Sequence, residues 1–336
     1  MEQPIPVPEG KTSDQALIFG RVLDGRGGGR PIDWAEAQGW QPGSGAEILW
    51  LHCDRGHEEV FDWLHETLGV PETTVETLTS DETRPRAFRD EEWLITILRG
   101  INFNPGAEPE DMIAMQMLAD TCRVVTLRRR PLQSPRDVLA EIDRHHGPKT
   151  AGDLVVELAE TLVARMSSAI VDMNAALDDL EEHEDDYETD FIQDRITDIR
   201  RNCLSLKRHM SPQREALLEI GRCAVPWMSQ ENRRDIRETI DRLSRFLEDI
   251  DVSKESALVL QDDLNARAAA QAGRTNYILS LVAAIFLPLG FVTGLLGINV
   301  GGMPGVNDGN AFWITVGGLL AIFAGQMAIF KWLKWF

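Results

Sequence analysis

Two long runs of residues without a charged side chain constrain this chain more than any other feature. They cover residues 277–296 (YILSLVAAIFLPLGFVTGLL) and 311–330 (AFWITVGGLLAIFAGQMAIF). About 20 apolar residues are what a helix needs to cross roughly 30 Å of hydrocarbon. A soluble protein can bury one such helix in its core, but two runs within the last 60 residues favour a pair of transmembrane helices.

The basic residues near these runs predict their orientation. Arg267 and Arg274 precede the first run, Lys331 and Lys334 follow the second, and the connection 297–310 contains no Lys or Arg. The positive-inside rule therefore predicts that both termini lie in the cytosol and that the connection lies outside. The first ten residues, MEQPIPVPEG, have neither the basic nor the apolar region of a secretory signal.

The composition excludes some classes of protein. The net charge of −20 argues against nucleic-acid binding, which needs cationic surface. An acidic body attracts cations, but soluble proteins are often acidic for no further reason, so charge alone does not decide between these interpretations. The four cysteines form no CxxC pair, which favours reduced thiols over a disulfide framework.

The sequence before the apolar runs predicts an α+β cytosolic domain over residues 1–150, with a mixed sheet and flanking helices. Runs rich in Ile, Leu and Val predict the strands, at 16–23, 46–53, 93–101, 112–118 and 123–127. Helices are expected at 58–68 and 71–78. The glycine-rich segment DGRGGGR at 24–30 lacks the spacing of a phosphate-binding loop and is interpreted as a turn.

A helical hairpin region is predicted over residues 151–228, with long helices at 153–187 and 191–210. Residues 178–190 contain nine carboxylates and no Lys or Arg. Such a run is typical of a solvated helix end. A cytosolic surface that collects cations is the alternative.

A stalk helix is predicted over residues 229–276, continuous with the first apolar run. Residues 236, 240, 243, 247 and 250 are Ile, Ile, Leu, Leu and Ile, a spacing that predicts a seam for packing against another helix. A helix from about 232 to 296 would be about 100 Å long. Two spans per chain cannot enclose a pore, so a conducting protein of this design must be a cyclic oligomer.

One face of the first span is small and partly polar. Its members are Asn276, Ser280, Ala283, Leu287, Gly290 and Gly294. A narrow pore with a constriction at Leu287 explains this stripe. Close packing between membrane helices, which also selects small residues, remains the alternative.

The end of the first span carries a resemblance to a known family. It ends in Gly297-Ile298-Asn299, and a second span follows closely. A Gly-x-Asn tripeptide in this context, after IFLPLGFVTGLL, resembles the CorA metal-ion transporter family. The segments LRGINFNPGAEPEDM at 98–112 and RRRPL at 128–132 resemble its zinc transporter (ZntB) branch. Ile298 is a departure, since the magnesium members generally carry Met there.

The resemblance implies a homopentamer in a bacterial inner membrane, with five copies of the first span lining a pore for divalent cations, and Zn²⁺ is the expected cargo. Gly297, Ile298 and Asn299 would form the outer mouth. A ring of Asn299 amides offers oxygens to the water molecules around an ion. The amides carry no charge that would bind the ion too tightly. Neither span contains Asp, Glu, His or Cys, the ligands of a dehydrated zinc site, so the ion is expected to cross hydrated. Lipid and divalent cations are the expected partners, and no cofactor is expected.

Two further sets of His and Cys side chains are candidate metal ligands. His52, Cys53 and His57 are close in sequence, but a strand would direct His52 and Cys53 to opposite faces. Cys203 and His209 are six residues apart and share no helical face. Neither set is favoured as a metal site.

The acidic candidates are more numerous. His183, within EEHEDDYE, could bind zinc together with carboxylates. The resemblance implies that Glu238, Asp262 and Asp263 could form regulatory cation sites between subunits. Asp308 is the acidic residue of the outer connection and a candidate for attracting ions.

Rival functions remain open. A membrane-anchored enzyme is disfavoured because the sequence has no nucleophile elbow, P-loop or HExxH motif. A sensor that binds cations without moving them is disfavoured by the Gly-Ile-Asn mouth. Within the family, proton-coupled Zn²⁺ uptake is the first expectation. A channel for Mg²⁺, Co²⁺ or Ni²⁺ driven by the membrane potential, and zinc efflux, are the alternatives.

Overall fold

The computed structural model describes residues 16–43, 46–108, 110–183, 187–223, 225–298, 305 and 309–333. The chain divides into two compact units, Met1–Leu260 and Gln261–Phe336. The first unit contains a sheet and the helices that cover it. The second contains the two apolar helices.

The sheet has seven strands in the order β2-β1-β3-β7-β6-β5-β4. Among the described strands, only β3 and β7 are parallel, and every other neighbouring pair is antiparallel. The mixed sheet predicted from the sequence is therefore confirmed. The strands are β1 (Leu17–Leu23), β2 (Gly29–Pro31), β3 (Ile48–Asp54), β4 (Arg86–Asp90), β5 (Trp93–Gly100), β6 (Ile113–Ala119) and β7 (Arg123–Arg128).

The two edge strands are the ones that the sequence did not predict. β2 has three residues, including a glycine and a proline, and β4 has the sequence RAFRD. Short strands with proline or charged side chains are typical of sheet edges, where they prevent pairing with another chain. They lack the apolar run on which the prediction of the five inner strands rested.

Short helices cover one face of the sheet. They are α1 (Trp34–Gln38), α2 (Glu58–Asp62), which continues as a π-helical turn over Trp63–Thr67, and α3 (Glu72–Thr79). Alternate residues of β3 (Leu49, Leu51 and Cys53) pack here with Trp63 and Leu64. The predicted helices at 58–68 and 71–78 are confirmed.

The glycine-rich segment is a turn, as predicted. Gly25 and Gly27 have φ angles of +69° and +104°, a region that strongly favours glycine. The Asp24 carboxylate accepts hydrogen bonds from the backbone N–H groups of Arg26 (2.8 Å) and Gly28 (3.0 Å). The turn leads directly into β2.

The remaining helices of the first unit follow β7. They are α4 (Ser134–Asp143), α5 (Ala151–Ala164), α6 (Met166–Glu182) and α7 (Thr189–Arg222). The single helix predicted over 153–187 is wrong, because the chain turns at Arg165. The Arg165 guanidinium contacts Asp137 (2.5 Å) and lies over the Phe103 ring. These tertiary contacts leave no signal in the local sequence.

Helix α7 extends beyond the predicted 191–210 and contains Pro212. A proline removes one intrahelical hydrogen bond. The following turns are held by packing, since Gln213 and Leu217 are fully buried and the Gln213 Oε1 accepts from the Arg99 backbone N–H (2.6 Å).

Helix α8 (Gln230–Leu296) has 67 residues, so the predicted long helix is confirmed. The predicted seam is buried at Ile236, Ile240, Leu243 and Ile250. Polar contacts fix α8 to the hairpin helices on either side of this seam. They include Asn232 Nδ2 to Asp153 Oδ1 (2.6 Å), Arg214 Nε to Ser244 Oγ (2.9 Å) and Lys207 Nζ to Asp251 Oδ1 (2.5 Å).

The second unit contains the C-terminal part of α8 and helix α9 (Ala311–Trp332). Both helices are long and apolar enough to cross a membrane, as the two charge-free runs predicted. The Gln326 Nε2 donates to the Ala284 carbonyl oxygen (3.2 Å) and links the two helices.

Candidate functional site

The small stripe of the first span is uncovered in the single chain. Asn276, Ser280, Gly290 and Gly294 are exposed, and Leu287 has an exposed fraction of 70%. Ala283 is half-buried. A Cβ added at Gly290 or Gly294 would meet no atom within 4 Å. Within one chain, these glycines therefore make no close approach that excludes a side chain.

Helix α9 borders the stripe at one residue, Gly290. A groove of about 450 Å³ lies between the helices. The side of α8 that faces it includes Phe286, Leu289, Gly290 and Thr293. The Thr293 hydroxyl donates to the Leu289 carbonyl (3.0 Å), so this polar group is satisfied within its own helix, as a bilayer requires. Gly290 is the one stripe residue that borders the groove.

The predicted mouth begins where α8 ends. The helix ends at Leu296, and the Gly297 N–H donates to the Thr293 carbonyl (2.9 Å). A Cβ at Gly297 would lie 3.1 Å from that same oxygen, which is tight for a backbone contact. Ile298 is 47% exposed. Asn299 lies outside the described residues, and so does Asp308.

The acidic candidates lie on exposed helix surfaces. Glu238 is 3.6 Å from Arg234, and Asp263 is 2.6 Å from Arg267, each one helical turn away. Asp262 is exposed. The His183 Nδ1 lies 3.2 Å from Asp179 Oδ1. Among the described residues, no three or more His, Cys, Asp or Glu side chains are grouped as a metal would require.

The buried histidine and cysteine of β3 have structural roles. The His52 Nδ1 is 2.9 Å from the Thr126 hydroxyl, and the ring stacks on Phe19. Burial lowers the His52 pKa well below its usual value, and burial raises that of Cys53. The strand directs Cys53 into the core under α2 and His52 to the other face, so the structure does not bring them together.

Cys203 and His209, the second candidate set of metal ligands, also lie in separate surroundings. The Cys203 Sγ packs 3.4 Å from the Met173 Sδ, and burial raises the pKa of this thiol to about 11. The pKa of His209 is lowered to about 4 by burial and by the charges of Arg99 and Arg208.

A group of carboxylates that was not predicted from the sequence lies on α5. Burial, with the charges of Glu141, Glu160 and Asp153, raises the pKa of Glu157 to about 7. Burial also raises the pKa of Glu160, followed by the charge of Asp235 on α8. The spacing of 153, 157 and 160 places all three on one helical face, which is the signal that could have found them.

Comparisons with known proteins agree with this architecture. A family model described as CorA-like Mg²⁺ transporter protein matches residues 45–332. The divalent cation transporter CmaX of Pseudomonas aeruginosa is 37% identical over 331 residues, covering 96% of this chain and 97% of CmaX. The zinc transport protein ZntB of Pectobacterium atrosepticum is 34% identical over 318 residues, covering 93% of each chain. A solved structure of full-length CmaX superposes with a TM-score of 0.83 at 36% identity and covers 97% of this chain and 100% of that one.

Proposed function

Because the chain belongs to the CorA-like Mg²⁺ transporter family, a family of divalent cation transporters, we propose that it takes up Zn²⁺ across the bacterial inner membrane. The observation that carries this proposal is the end of the first span, where α8 stops at Leu296 and Gly297-Ile298-Asn299 follows. The 34% identity to a zinc transport protein supports zinc as the cargo.

The proposed pathway runs along the small face of the first span in a cyclic homopentamer. Five copies of Asn276, Ser280, Ala283, Leu287, Gly290 and Gly294 would line it, with 297–299 at the outer mouth. Residues 277–296 and 311–330 lack Asp, Glu, His and Cys, which supports passage of a hydrated ion. Both termini and the first unit would lie in the cytosol.

The proposed division of the chain follows from this pathway. Residues 1–150 form the cytosolic α/β domain, 151–228 the helical hairpin region and 229–276 the stalk. Residues 297–310 form the outer connection between the spans, and 331–336 a basic cytosolic tail.

The driving force has two candidate sources. Coupling to protons requires an ionisable group in or beside the pathway, and the spans contain no acidic or His side chain. We place any coupling at Asp308 in the outer connection or at Asp262 and Asp263 on α8. The membrane potential alone contributes about 4.6 kcal/mol per 100 mV for two positive charges.

A second candidate function is a channel of broader selectivity, for Mg²⁺, Co²⁺ or Ni²⁺ as well as Zn²⁺. The observation that favours it is the 37% identity to a protein described as a divalent cation transporter without a named metal. Zinc efflux through the same pore would require an electrochemical gradient of Zn²⁺ directed out of the cell.

The mouth is tested by substitution in proteoliposomes. Asn299→Ala removes the proposed ring of amide oxygens and should reduce Zn²⁺ uptake strongly, and Gly297→Ala should do so because a methyl group would crowd the Thr293 carbonyl. Asn307→Ala is the matched control, since it removes an amide from the same connection outside the tripeptide. Wild-type uptake by Asn299→Ala would contradict the assignment of the mouth.

The driving force is tested by measuring Zn²⁺ and Mg²⁺ entry at zero potential, with and without a pH gradient. Acceleration by the gradient supports proton coupling, and its loss in variants lacking Asp308, Asp262 and Asp263 supports their placement. Equal acceleration in wild type and variants would contradict that placement. No effect of the gradient would favour the channel, and Mg²⁺ entry as fast as Zn²⁺ entry would favour broader selectivity.

A further inference from the structure

A cavity of about 440 Å³ lies within the first unit, at the edge of the sheet where β3 and β7 end and β6 begins. Arg55 follows β3, Arg129 and Arg130 follow β7, and Arg99 is the penultimate residue of β5. Helix α7 contributes Arg208. The topology therefore brings five guanidinium groups from four elements to one cavity of a size typical for small ligands.

The charge in this cavity is opposite to that of the chain. Five arginines line it against three carboxylates, Asp81, Glu110 and Asp111, so the lining carries a net charge of +2 while the chain carries −20. His209 also lines the cavity. Its pKa is lowered by burial and then by two of these arginines, so it is neutral at pH 7.

Three of the arginines are held in place by the protein. Arg55 donates to the Ser80 carbonyl (2.6 Å) and to Asp81 (2.7 Å), and only 6% of its side chain is exposed. Arg129 donates to the same Asp81 oxygen (2.8 Å), so one carboxylate serves two guanidinium groups. Arg99 donates to the Met112 carbonyl (2.7 Å). These contacts fix the positive wall of the cavity before any ligand arrives.

The other two arginines have unused donors. Within the described part of the chain, the guanidinium groups of Arg130 and Arg208 form neither a hydrogen bond nor an ion pair. The charge of Arg208 acts on Arg99 and adds to the lowering of its pKa by burial. Two like charges that face one cavity repel each other. An anion between them would attract both guanidinium groups and offset this repulsion. Guanidinium forks match phosphate oxygens in geometry and bind them with charge-assisted hydrogen bonds.

We propose that this arginine cavity binds a compact phosphate-bearing anion, with Arg130 and Arg208 as its principal ligands on the wall that Arg55, Arg99 and Arg129 form. The apolar part of the lining is Met112, Ile113 and Ala114. The His209 imidazole is the one aromatic ring among the described lining residues, and no Phe, Tyr or Trp offers a face on which a nucleobase could stack. Inorganic phosphate or pyrophosphate therefore fits the cavity better than a nucleotide. This site is independent of the transport pathway proposed above.

The test is calorimetric titration of the full-length protein in detergent with inorganic phosphate, pyrophosphate and AMP, each at a constant ionic strength of about 0.15 M. Wild type should bind phosphate with a Kd at or below about 1 mM. Arg208→Gln and Arg130→Gln should each weaken binding about tenfold, since each removes charge-assisted hydrogen bonds. AMP should bind no more tightly than pyrophosphate.

Arg201→Gln is the matched control. Arg201 lies two turns before Arg208 on α7, is exposed and does not line the cavity, so this variant has the same change of charge and should change the Kd less than about twofold. Without phosphate, both cavity variants should melt at or above the wild-type temperature, because neither guanidinium group has a hydrogen-bond or ion-pair partner among the described residues. Absence of phosphate binding to wild type, or equal weakening by Arg201→Gln and Arg208→Gln, would overturn the proposal. Binding of AMP about tenfold tighter than pyrophosphate would overturn the assignment to a compact anion.

Discussion

The ionisation of Glu157 should destabilise the first unit above neutral pH, and Glu157→Gln should remove that effect. Glu157 lies half-buried on α5. Burial raises its pKa from 4.5 to about 7, with further contributions from Glu141, Glu160 and Asp153. Its carboxylate accepts no hydrogen bond from the residues that the structure describes. Of the described groups, those that act on Glu157 all raise its pKa, so none of them compensates the charge when it forms.

The direction of the effect follows from proton linkage. Between pH 4.5 and about 7, the folded chain holds a proton on Glu157 that the unfolded chain has lost, so stability falls as pH rises through this window. The difference in pKa corresponds to about 3 kcal/mol. Because the side chain is partly exposed, solvent screening reduces this to about 1–2 kcal/mol, or about 2–4 °C in melting temperature for a unit of this size.

The assay is thermal unfolding of the full-length protein in detergent, followed by tryptophan fluorescence at pH 5 and pH 8. Glu157→Gln should melt close to wild type at pH 5 and about 2–4 °C above it at pH 8. Glu181→Gln, which makes the same change at an exposed position of α6, should have no offset at either pH. An equal offset of Glu157→Gln at both pH values, or a lower melting temperature at pH 8, would refute the reasoning.

Three further outcomes are expected. Gly152→Ala should cost about 1–3 kcal/mol, measured as a lower melting temperature, because its Cβ would overlap the Asn232 Oδ1 and lie 3.1 Å from the Asn232 Cγ. Gly221→Ala, whose Cβ would meet its nearest neighbour at 3.6 Å, should cost nothing, and a similar loss in both variants would contradict the overlap. Gln326→Leu should change the thermal stability of the assembly by less than about 1 kcal/mol. The variant loses the hydrogen bond to the Ala284 carbonyl, but it also removes a buried amide oxygen that has no partner among the described residues. Loss of assembly in this variant would contradict the prediction. Native mass spectrometry in detergent should find a closed oligomer, with five subunits expected, and a stable monomer or dimer as the main species would contradict a pore between subunits.

The parts of the fold that could be predicted are those with a strong local pattern. The inner strands are nearly continuous apolar runs, and the two spans have no charged residue, so each is recognised from a few neighbouring residues. β2 and β4 could not be predicted from the sequence, because pairing with a neighbouring strand, rather than their own composition, makes these segments strands. The break at Arg165 was missed for the same reason, since Asp137 and Phe103 are distant in sequence.

The candidate site divides in a similar way. The Gly-Ile-Asn tripeptide could be proposed as the mouth from sequence because its residues are consecutive, and Gly297 directly follows the end of α8. The arginine cavity could not be found in this way, because Arg55, Arg99 and Arg208 are brought together by the sheet and by α7. In the sequence, RRRPL at 128–132 carries only a family resemblance. Its role as a wall of that cavity depends on the order of the strands.

The two explanations of the small stripe can be compared by helical phase. At about 100° per residue, Asn276, Leu287 and Gly294 lie within about 20° of one line along α8. The groove beside α9 is lined by Phe286, Leu289 and Thr293, which are centred roughly 100° away from that line. Gly290 lies at the boundary and is the one stripe residue that faces the groove. Gly290 borders the groove, but a Cβ there would meet no atom within 4 Å, so packing within a chain explains neither this glycine nor the rest of the stripe. The proposed oligomer offers two explanations, a shared lumen or contact between neighbouring first spans. The polar side chains of Asn276 and Ser280 favour the lumen, because a dry contact between spans would deprive them of water as a hydrogen-bond partner.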